Sequence, residues 1–513
     1  MGKYKNIYEY IGFDATQMPP STKLIVFVSG TWYEMGRQFA EQAGPAVRQK
    51  IAYGMANAIK KYGTRRHALE CVVDYTRIME EKAPELLDIW YGIADELEMQ
   101  REDVMLAYTN FSRSDERCST ISVYGSATRD GQLICGMNCD EDETVNFYAP
   151  TVIAYPDEGN AFISASAFTC NCVMNEAGVV FMASCGQSAA SGDYRIGLPN
   201  CVELMICAAK CSSAKEAVDL VIENKLAPSS GENIHFADIS GKSYVIEHTA
   251  QKDSVRVAGD FGEKCYTIAT NTFFKEKMQP SVWTGKDKWD NPLPRYWTEE
   301  RIILENFGNV DIDIVNKALS CREFYIRPDW NYTKWETDVV GFKYGWNRNI
   351  WAEESELAKK TSKWSPEIRT PIGKTVFSCI MEPAKNRFYI TNGSRDPLIS
   401  MNADATGNFL RITLRNSFRQ IMEDAMEYAR EQIYFAVRDI NLVDENRLYR
   451  IECLNTAKQA YFEGINYMNI GFCAENSNEQ RLLWGKATTA FCKAQCYSQL
   501  AQKDPYKLKR EKF

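Results

Sequence analysis

The spacing of apolar residues changes at Cys118, and that change restricts the chain to folds that combine helices with sheet. Upstream, Phe39, Ala43, Val47, Ile51 and Met55 recur at helical spacing and predict a helix from Met35 to about Lys61, with Gly44-Pro45 as a kink or break. Pro84 suits the first turn of a second helix through Leu86, Leu87 and Trp90, and a third covers Asp103 to Thr109. Only the run ending at Gly30 (LIVFVSG) reads as strand there. Downstream, β-type runs follow at Ser119–Ser126, Gln132–Asn138, Thr151–Tyr155, Ala161–Ala165 and Val179–Ala183. A helix from about Cys201 to Asn224 interrupts them, and Ser213-x-x-Glu216 is a capping box for its second half. Strands resume at Ile234–Ala237, Tyr244–Glu247, Ser254–Val257 and Tyr266–Ala269, and again at Thr375–Met381 and Phe388–Ile390. Residues 275–370 read as long loops with some helix, an insertion over the site. After about Asp404 the pattern is helical to the end, with Ser477-x-x-Gln480 as the cap of the last helix. The expected organisation is a helical segment 1–117, a core 118–404 and a helical extension 405–513.

Composition narrows the function. The net charge of -8 disfavours nucleic acid, whose phosphates need a basic face. No apolar run reaches the ~18 residues of a membrane span, so no membrane partner is expected. The first twenty residues lack the apolar stretch of a secretory signal, and the 17 cysteines are odd in number; both lead us to expect a cytoplasmic protein with free thiols. There are only 3 histidines, His67, His235 and His248. Metal sites and Ser–His or Cys–His devices therefore have few residues to draw on. No metal and no cofactor is expected; Cys135-x-x-x-Cys139 and Cys170-x-Cys172 lack the knuckle spacing and neighbouring histidines of a zinc site.

The segment Arg117-Cys118-Ser119-Thr120, followed by Asn138-Cys139-Asp140, carries the most chemistry. A turn over Ala127–Gly131 gives a hairpin centred on Arg129, which sets Cys118 opposite Asp140. Directly paired residues have Cβ atoms about 4.5–5.5 Å apart, so thiol and carboxylate can interact. A cysteine thiol ionises near ~8.5 and needs a base at neutral pH. If the bond between Arg117 and Cys118 is cut, the freed α-amine, with a reference value of about 7.7–8.0, can take the proton of its own side chain. Asp140 would orient that amine.

The same residues belong to an ordered series of motifs. Gly30-Thr31-Trp32-Tyr33-Glu34-Met35-Gly36, Cys118-Ser119-Thr120, Asn138-x-Asp140, Val173-Met174-Asn175-Glu176-Ala177-Gly178, Ala269-Thr270-Asn271-Thr272-Phe273 and Thr375-Val376-Phe377-Ser378 follow one another along the chain. In this order they resemble the isopenicillin N acyltransferase family of N-terminal-nucleophile (Ntn) hydrolases and, more distantly, the choloylglycine hydrolases. The resemblance implies an α+β, four-layer αββα sandwich with the nucleophile at the start of a central strand. It implies Cys118 as the thiol that forms a thioester, Asn271 as an oxyanion donor, Asn175 and Asn138 as residues that place the substrate or complete the oxyanion hole, and self-cleavage between Arg117 and Cys118. Thr272 stands where the family has histidine, and Met137 where the choloylglycine relatives have arginine. The family's arginine after the oxyanion asparagine has Arg295 as its candidate here.

Each of these residues also has a plain reading: Cys118 as a buried core thiol, Asp140 and Asn175 as turn residues, Asn271 as a strand end, Arg295 as a solvated surface arginine. Three functions stay open. The first is hydrolysis of a small-molecule N-acyl amide. The second is transfer of the acyl group to an amine, and the third is ligand binding by an uncleaved, inactive chain. Self-association of the cleaved chains, with a homo-oligomer as a further option, completes the expected partners.

Overall fold

The computed structural model describes residues 24–109, 118–141, 150–168, 171–185, 198, 200–223, 231–249, 251–281, 292–321, 374–391, 409–415, 417–440 and 447–502. Strand β1 (Ile25–Gly30) leads into helix α1 (Trp32–Tyr62). The helix starts three residues earlier than its apolar spacing suggests because Thr31 and Glu34 form a reciprocal cap: the Glu34 amide donates to Thr31 Oγ1 and the Thr31 amide to Glu34 Oε2, at 2.9 Å. Pro45 lies inside α1 and does not end it. Phe39, Ala43, Val47 and Ile51 are all buried, and that packing overrides the local cost of the proline.

Helices α2 (Arg65–Lys82), which the sequence reading missed, α3 (Pro84–Glu96) and α4 (Arg101–Thr109) complete the first segment. Gly36 of α1 faces the Ile89 backbone and Gly92 of α3 faces that of Tyr33, so a Cβ at either would collide with main chain. The last glycine of the first motif thus lets two helices cross closely.

The described strands form two sheets. One contains β1, β4 (Thr151–Pro156), β5 (Phe162–Ser164), β6 (Cys172–Asn175), β7 (Val179–Cys185), β8 (Glu232–Asp238), β9 (Ser243–His248) and β10 (Asp253–Val257), in that order. The first pair is parallel and the rest are antiparallel. The other has the order β11 (Tyr266–Ala269), β2 (Ser119–Val123), β3 (Ile134–Glu141), β12 (Lys374–Glu382), β13 (Arg387–Thr391), β14 (Phe409–Thr413) and is antiparallel throughout. Side chains from the two sheets meet, as in Cys172 Sγ against Met381 Sδ at 3.7 Å and Thr120 against His235. Helices α5 (Asn200–Lys210) and α6 (Ala214–Glu223) pack on β6–β9. Half of the expected capping box separates them: the Glu216 amide donates to Ser213 Oγ at 3.2 Å, while the Glu216 carboxylate accepts from the Ser212 amide at 2.7 Å rather than from that of Ser213. Within the expected insertion, α7 (Pro292–Glu305) and α8 (Ile312–Ser320) bury Trp297, Ile303, Val315 and Leu319 against the six-stranded sheet. The fold is therefore a mixture of α and β with two packed sheets and helices.

The six-stranded sheet continues past residue 404. Strand β14 was not expected, and it leaves an edge with unpaired backbone groups. Helices α9 (Phe418–Ile440), α10 (Arg447–Phe472) and α11 (Ser477–Leu500) follow. Two glutamines of α11 satisfy that edge: the Arg411 amide donates to Gln495 Oε1 at 2.8 Å, and Gln499 Nε2 donates to the Phe409 carbonyl at 2.7 Å. The cap of α11 is Asn476, whose side chain accepts from the Glu479 amide at 2.8 Å, rather than Ser477.

Candidate active site

Cys118 directly precedes β2, an interior strand, and is fully buried. The β2–β3 hairpin differs from the expected one by a single position. Ser119 pairs with Asn138 and Thr120 with Met137, so the same register sets Cys118 across from Cys139. The connection is not a tight turn over Ala127–Gly131. It opens with a 3₁₀ turn at Gly125–Ala127 and is tied to the α7–α8 connection, where the Gly308 and Val310 amides both donate to the Ala127 carbonyl. That anchoring fixes the register independently of the loop's symmetry, and it removes the direct opposition of Cys118 and Asp140. The Asp140 backbone pairs with Thr375; its side chain and residue Arg117 lie outside the described residues.

On the other side of β2, Ala269 pairs with Thr120. Two residues further in this register, Asn271 comes across from Cys118. The ladder stops there, because the chain closes a three-residue turn with the Thr272 amide on the Thr270 carbonyl at 2.8 Å. Arg295, in the first turn of α7, reaches both residues. Its Nη1 donates to the Cys118 carbonyl at 2.8 Å and its Nη2 to Asn271 Oδ1 at 2.6 Å. The planar guanidinium suits two acceptors held side by side. It also fixes the amide: Oδ1 faces the arginine, so Nδ2, the donor end, faces away from it. Three residues far apart in sequence thus form one constellation, and the plain reading of Arg295 as a solvated surface arginine gives way to one in which it bridges the two others.

The other two asparagines are used elsewhere. Asn138 Nδ2 donates to the Leu319 carbonyl at 2.9 Å and its Oδ1 accepts from Ser378 Oγ at 2.6 Å, which ties β3 to the end of α8 and to β12. Asn175 ends β6 at a turn in which Gly178 has a φ of 77°. Its Oδ1 accepts from the Val179 amide, and its Nδ2 donates to the carbonyls of Ala208 and Cys211 at 3.1 and 2.7 Å, closing the end of α5. Both amide hydrogens are engaged, so Asn175 has none to offer a substrate oxygen in this arrangement, and the expected oxyanion role is replaced by a capping one. Asn175→Ala should lower the urea-unfolding free energy by about 2–3 kcal/mol, since it breaks three buried hydrogen bonds and leaves Asn160 Nδ2 as the side-chain donor to both carbonyls.

Sequence reasoning missed a polar cluster beside the site. His235 of β8 lies between the sheets, with Nδ1 2.9 Å from Thr120 Oγ1 and Nε2 3.1 Å from Ser122 Oγ and 3.0 Å from Ser243 Oγ. Burial, with the Arg256 charge adding to it, pushes its pKa down to about 3. Such a ring stays neutral and serves as a bridge between hydroxyls. Between a pH near its unfolded value of about 6.5 and the folded value, the unfolded chain binds a proton that the folded one does not. Stability should therefore fall as pH falls from 7 to 5, by up to ~1.4 kcal/mol per unit from this group. Chemical denaturation of wild type and His235→Gln across that range checks this; the variant should lose that part of the slope.

Burial raises the thiol pKa values of Cys135, Cys172, Cys207, Cys492 and Cys496, which suits core residues. Among the described residues, no group of His, Cys, Asp and Glu could hold a metal ion, and no helix is long and apolar enough to cross a membrane.

No protein-family model matches the sequence, and neither does any curated protein. Solved structures with a partial likeness include penicillin V acylase from Agrobacterium tumefaciens, at 11% identity over 58% of this chain and 86% of that one, with a TM-score of 0.30. Two variants of conjugated bile acid hydrolase from Clostridium perfringens each show 13% identity over 58% of this chain and 98% of theirs, with TM-scores of 0.31 and 0.28. Identities and TM-scores are both low, and the functional reading below stands on this chain's own residues.

Proposed function

We propose that this protein is a self-processing Ntn amide hydrolase, a four-layer αββα sandwich in which Cys118 becomes the amino-terminal nucleophile and a small-molecule N-acyl amide is the substrate. The observation that carries the reading is the Arg295 fork, which joins the Cys118 carbonyl to the Asn271 amide at the start of an interior strand.

The chemistry starts with the precursor. Cys118 Sγ attacks the Arg117 carbonyl carbon, the acyl group shifts from nitrogen to sulfur and so frees the α-amine, and water then hydrolyses the thioester, releasing the Arg117 carboxylate and restoring the thiol. In the mature enzyme that amine takes the thiol proton, and the thiolate adds to the substrate carbonyl. The oxyanion is met by Asn271 Nδ2, a donor whose direction Arg295 sets in advance; one such donor contributes about 3–4 kcal/mol to acyl transfer. Collapse expels the amine product, which takes its proton from the α-ammonium of Cys118. Water, deprotonated by the same α-amine, then releases the acid and restores the thiol. Asp140, beside the Cys139 that lies across from Cys118, is the carboxylate assigned to the α-ammonium. Hydrolysis is preferred to acyl transfer because it needs no second acceptor site.

The experiment is a screen of N-acyl amino acids, bile-salt conjugates, β-lactam side-chain amides and amino-acid amides, with acid quench and peptide mass mapping. An acyl adduct on the Cys118 peptide, labile to hydroxylamine, is the expected result. Turnover with the adduct on another residue would overturn the assignment.

A further inference from the structure

Beyond the residues that meet the substrate, we infer that Asn233 is a positioning residue for Asn271, holding the turn that aims the oxyanion donor. This rests on the amide-hydrolase reading above and extends it to a residue of the opposite sheet. Asn233 lies on β8 and is almost fully buried. Its Nδ2 donates to two carbonyls at once, Thr270 at 2.7 Å and Thr272 at 3.0 Å, the neighbours of Asn271 on either side. The turn is closed by the Thr272 amide on the Thr270 carbonyl, and a three-residue turn takes its shape in part from the groups that hold it from outside.

Further support comes from the same sheet. Glu247, directly across the ladder from Asn233, accepts from the amides of Phe274 and Lys275 at 2.7 and 2.9 Å. Arg256, buried on β10, donates to the Ile268 carbonyl at 2.5 Å and pairs with Glu263 at 3.0 Å. The backbone is therefore held before and after Asn271 by side chains of the eight-stranded sheet, and Asn233 grips the two residues bonded to it. A catalytic group must sit within ~0.5 Å of its working position, so a shift of this turn reaches the reaction without any change in the residues that touch substrate.

The orientation of the Asn233 amide is dictated by its partners, since reversal would set its oxygen against two carbonyls. Asn233→Asp makes that opposition permanent whenever the new carboxyl is ionised, and relieves it in part when the carboxyl is protonated. The test uses the full chain, with Asn233→Ala, Asn233→Asp and, as a control, Ser184→Ala, whose hydroxyl makes one longer bond to the Thr270 carbonyl at 3.4 Å. Turnover is divided by the number of titratable Cys118 thiols, and deuterium exchange of the 266–275 peptide is followed in parallel.

For Asn233→Ala, kcat per active thiol should fall about 10- to 100-fold with KM within about threefold, less than outright loss of an oxyanion donor. Exchange in the 270–275 amides should rise. Asn233→Asp should gain a pH limb absent from wild type, losing activity as pH rises. Ser184→Ala should match wild type. Normal kcat per active thiol in the Asn233 variants, with only the number of active sites reduced, would overturn the inference and make Asn233 a folding residue. If wild type turns over no N-acyl amide, the amide-hydrolase reading fails by itself. Exchange then decides the structural part: faster exchange confined to Asn233 variants upholds the clamp, and unchanged exchange removes it.

Discussion

Cys118→Ala should abolish both chain cleavage and turnover, lowering kcat by about 10⁴-fold or more against any substrate the wild type accepts. The loss is large because the substitution removes the nucleophile and, with it, the event that creates the base. In an enzyme whose amine and thiol share one residue, the two functions cannot be lost separately by truncating that side chain. Cys118→Ser separates them in part. A hydroxyl is a weaker nucleophile at neutral pH, so the serine variant should cleave itself slowly and turn over at a residual rate. The substitution itself is mild for the fold, since the alanine replaces a small buried thiol in a core rich in sulfur. Thermal unfolding of Cys118→Ala close to that of the wild type, with activity absent, is the expected pair of results. Retained turnover would move the nucleophile to another residue.

The second large effect belongs to Asn271 and Arg295. Asn271→Ala removes the proposed oxyanion donor and should reduce kcat by about 10²–10³-fold, with little change in KM, because the donor acts on charge that appears in the transition state. Arg295→Ala leaves the donor present but releases its orientation, together with the Cys118 carbonyl. Its effect should approach that of Asn271→Ala, and the double variant should be little worse than either single one, since both changes disable the same function. Arg295→Lys should rescue poorly: an ammonium is a point charge and cannot offer two parallel donors to the Cys118 carbonyl and Asn271 Oδ1. Steady-state kinetics on the four proteins give the coupling. Strict additivity would mean that Arg295 acts elsewhere.

Much of the fold could be read from local patterns, and what could not shares a physical origin. The β-type runs after Cys118 and the helices at Pro84, Asp103 and Ser213 are written in apolar spacing and caps. Register was read nearly right, and missed by one position because the β2–β3 connection is held by residues near 308–310, almost two hundred positions away. Strand β14 was hidden at the start of the stretch read as helical, and its edge is completed by glutamines that no local pattern marks. Among the site residues, Cys118 and Asn271 stood out through ordered motifs, and Arg295 was visible only as a candidate for the family's arginine after the oxyanion asparagine. Asn175 misled because the Asn-Glu-Ala-Gly turn carries the same letters whether its amide faces a substrate or the end of α5. Asn233 and His235 had no signal, for they sit in ordinary strand sequence and gain meaning only when the second sheet is laid against the first.

The central claim is that one residue is both attacker and base, and the amino terminus of the mature protein tests it most directly. Intact mass and terminal sequencing of purified wild type should find one fragment ending at Arg117 and a second beginning with Cys118. An uncut chain that still hydrolyses N-acyl amides, or a cut at any other bond, would contradict the account.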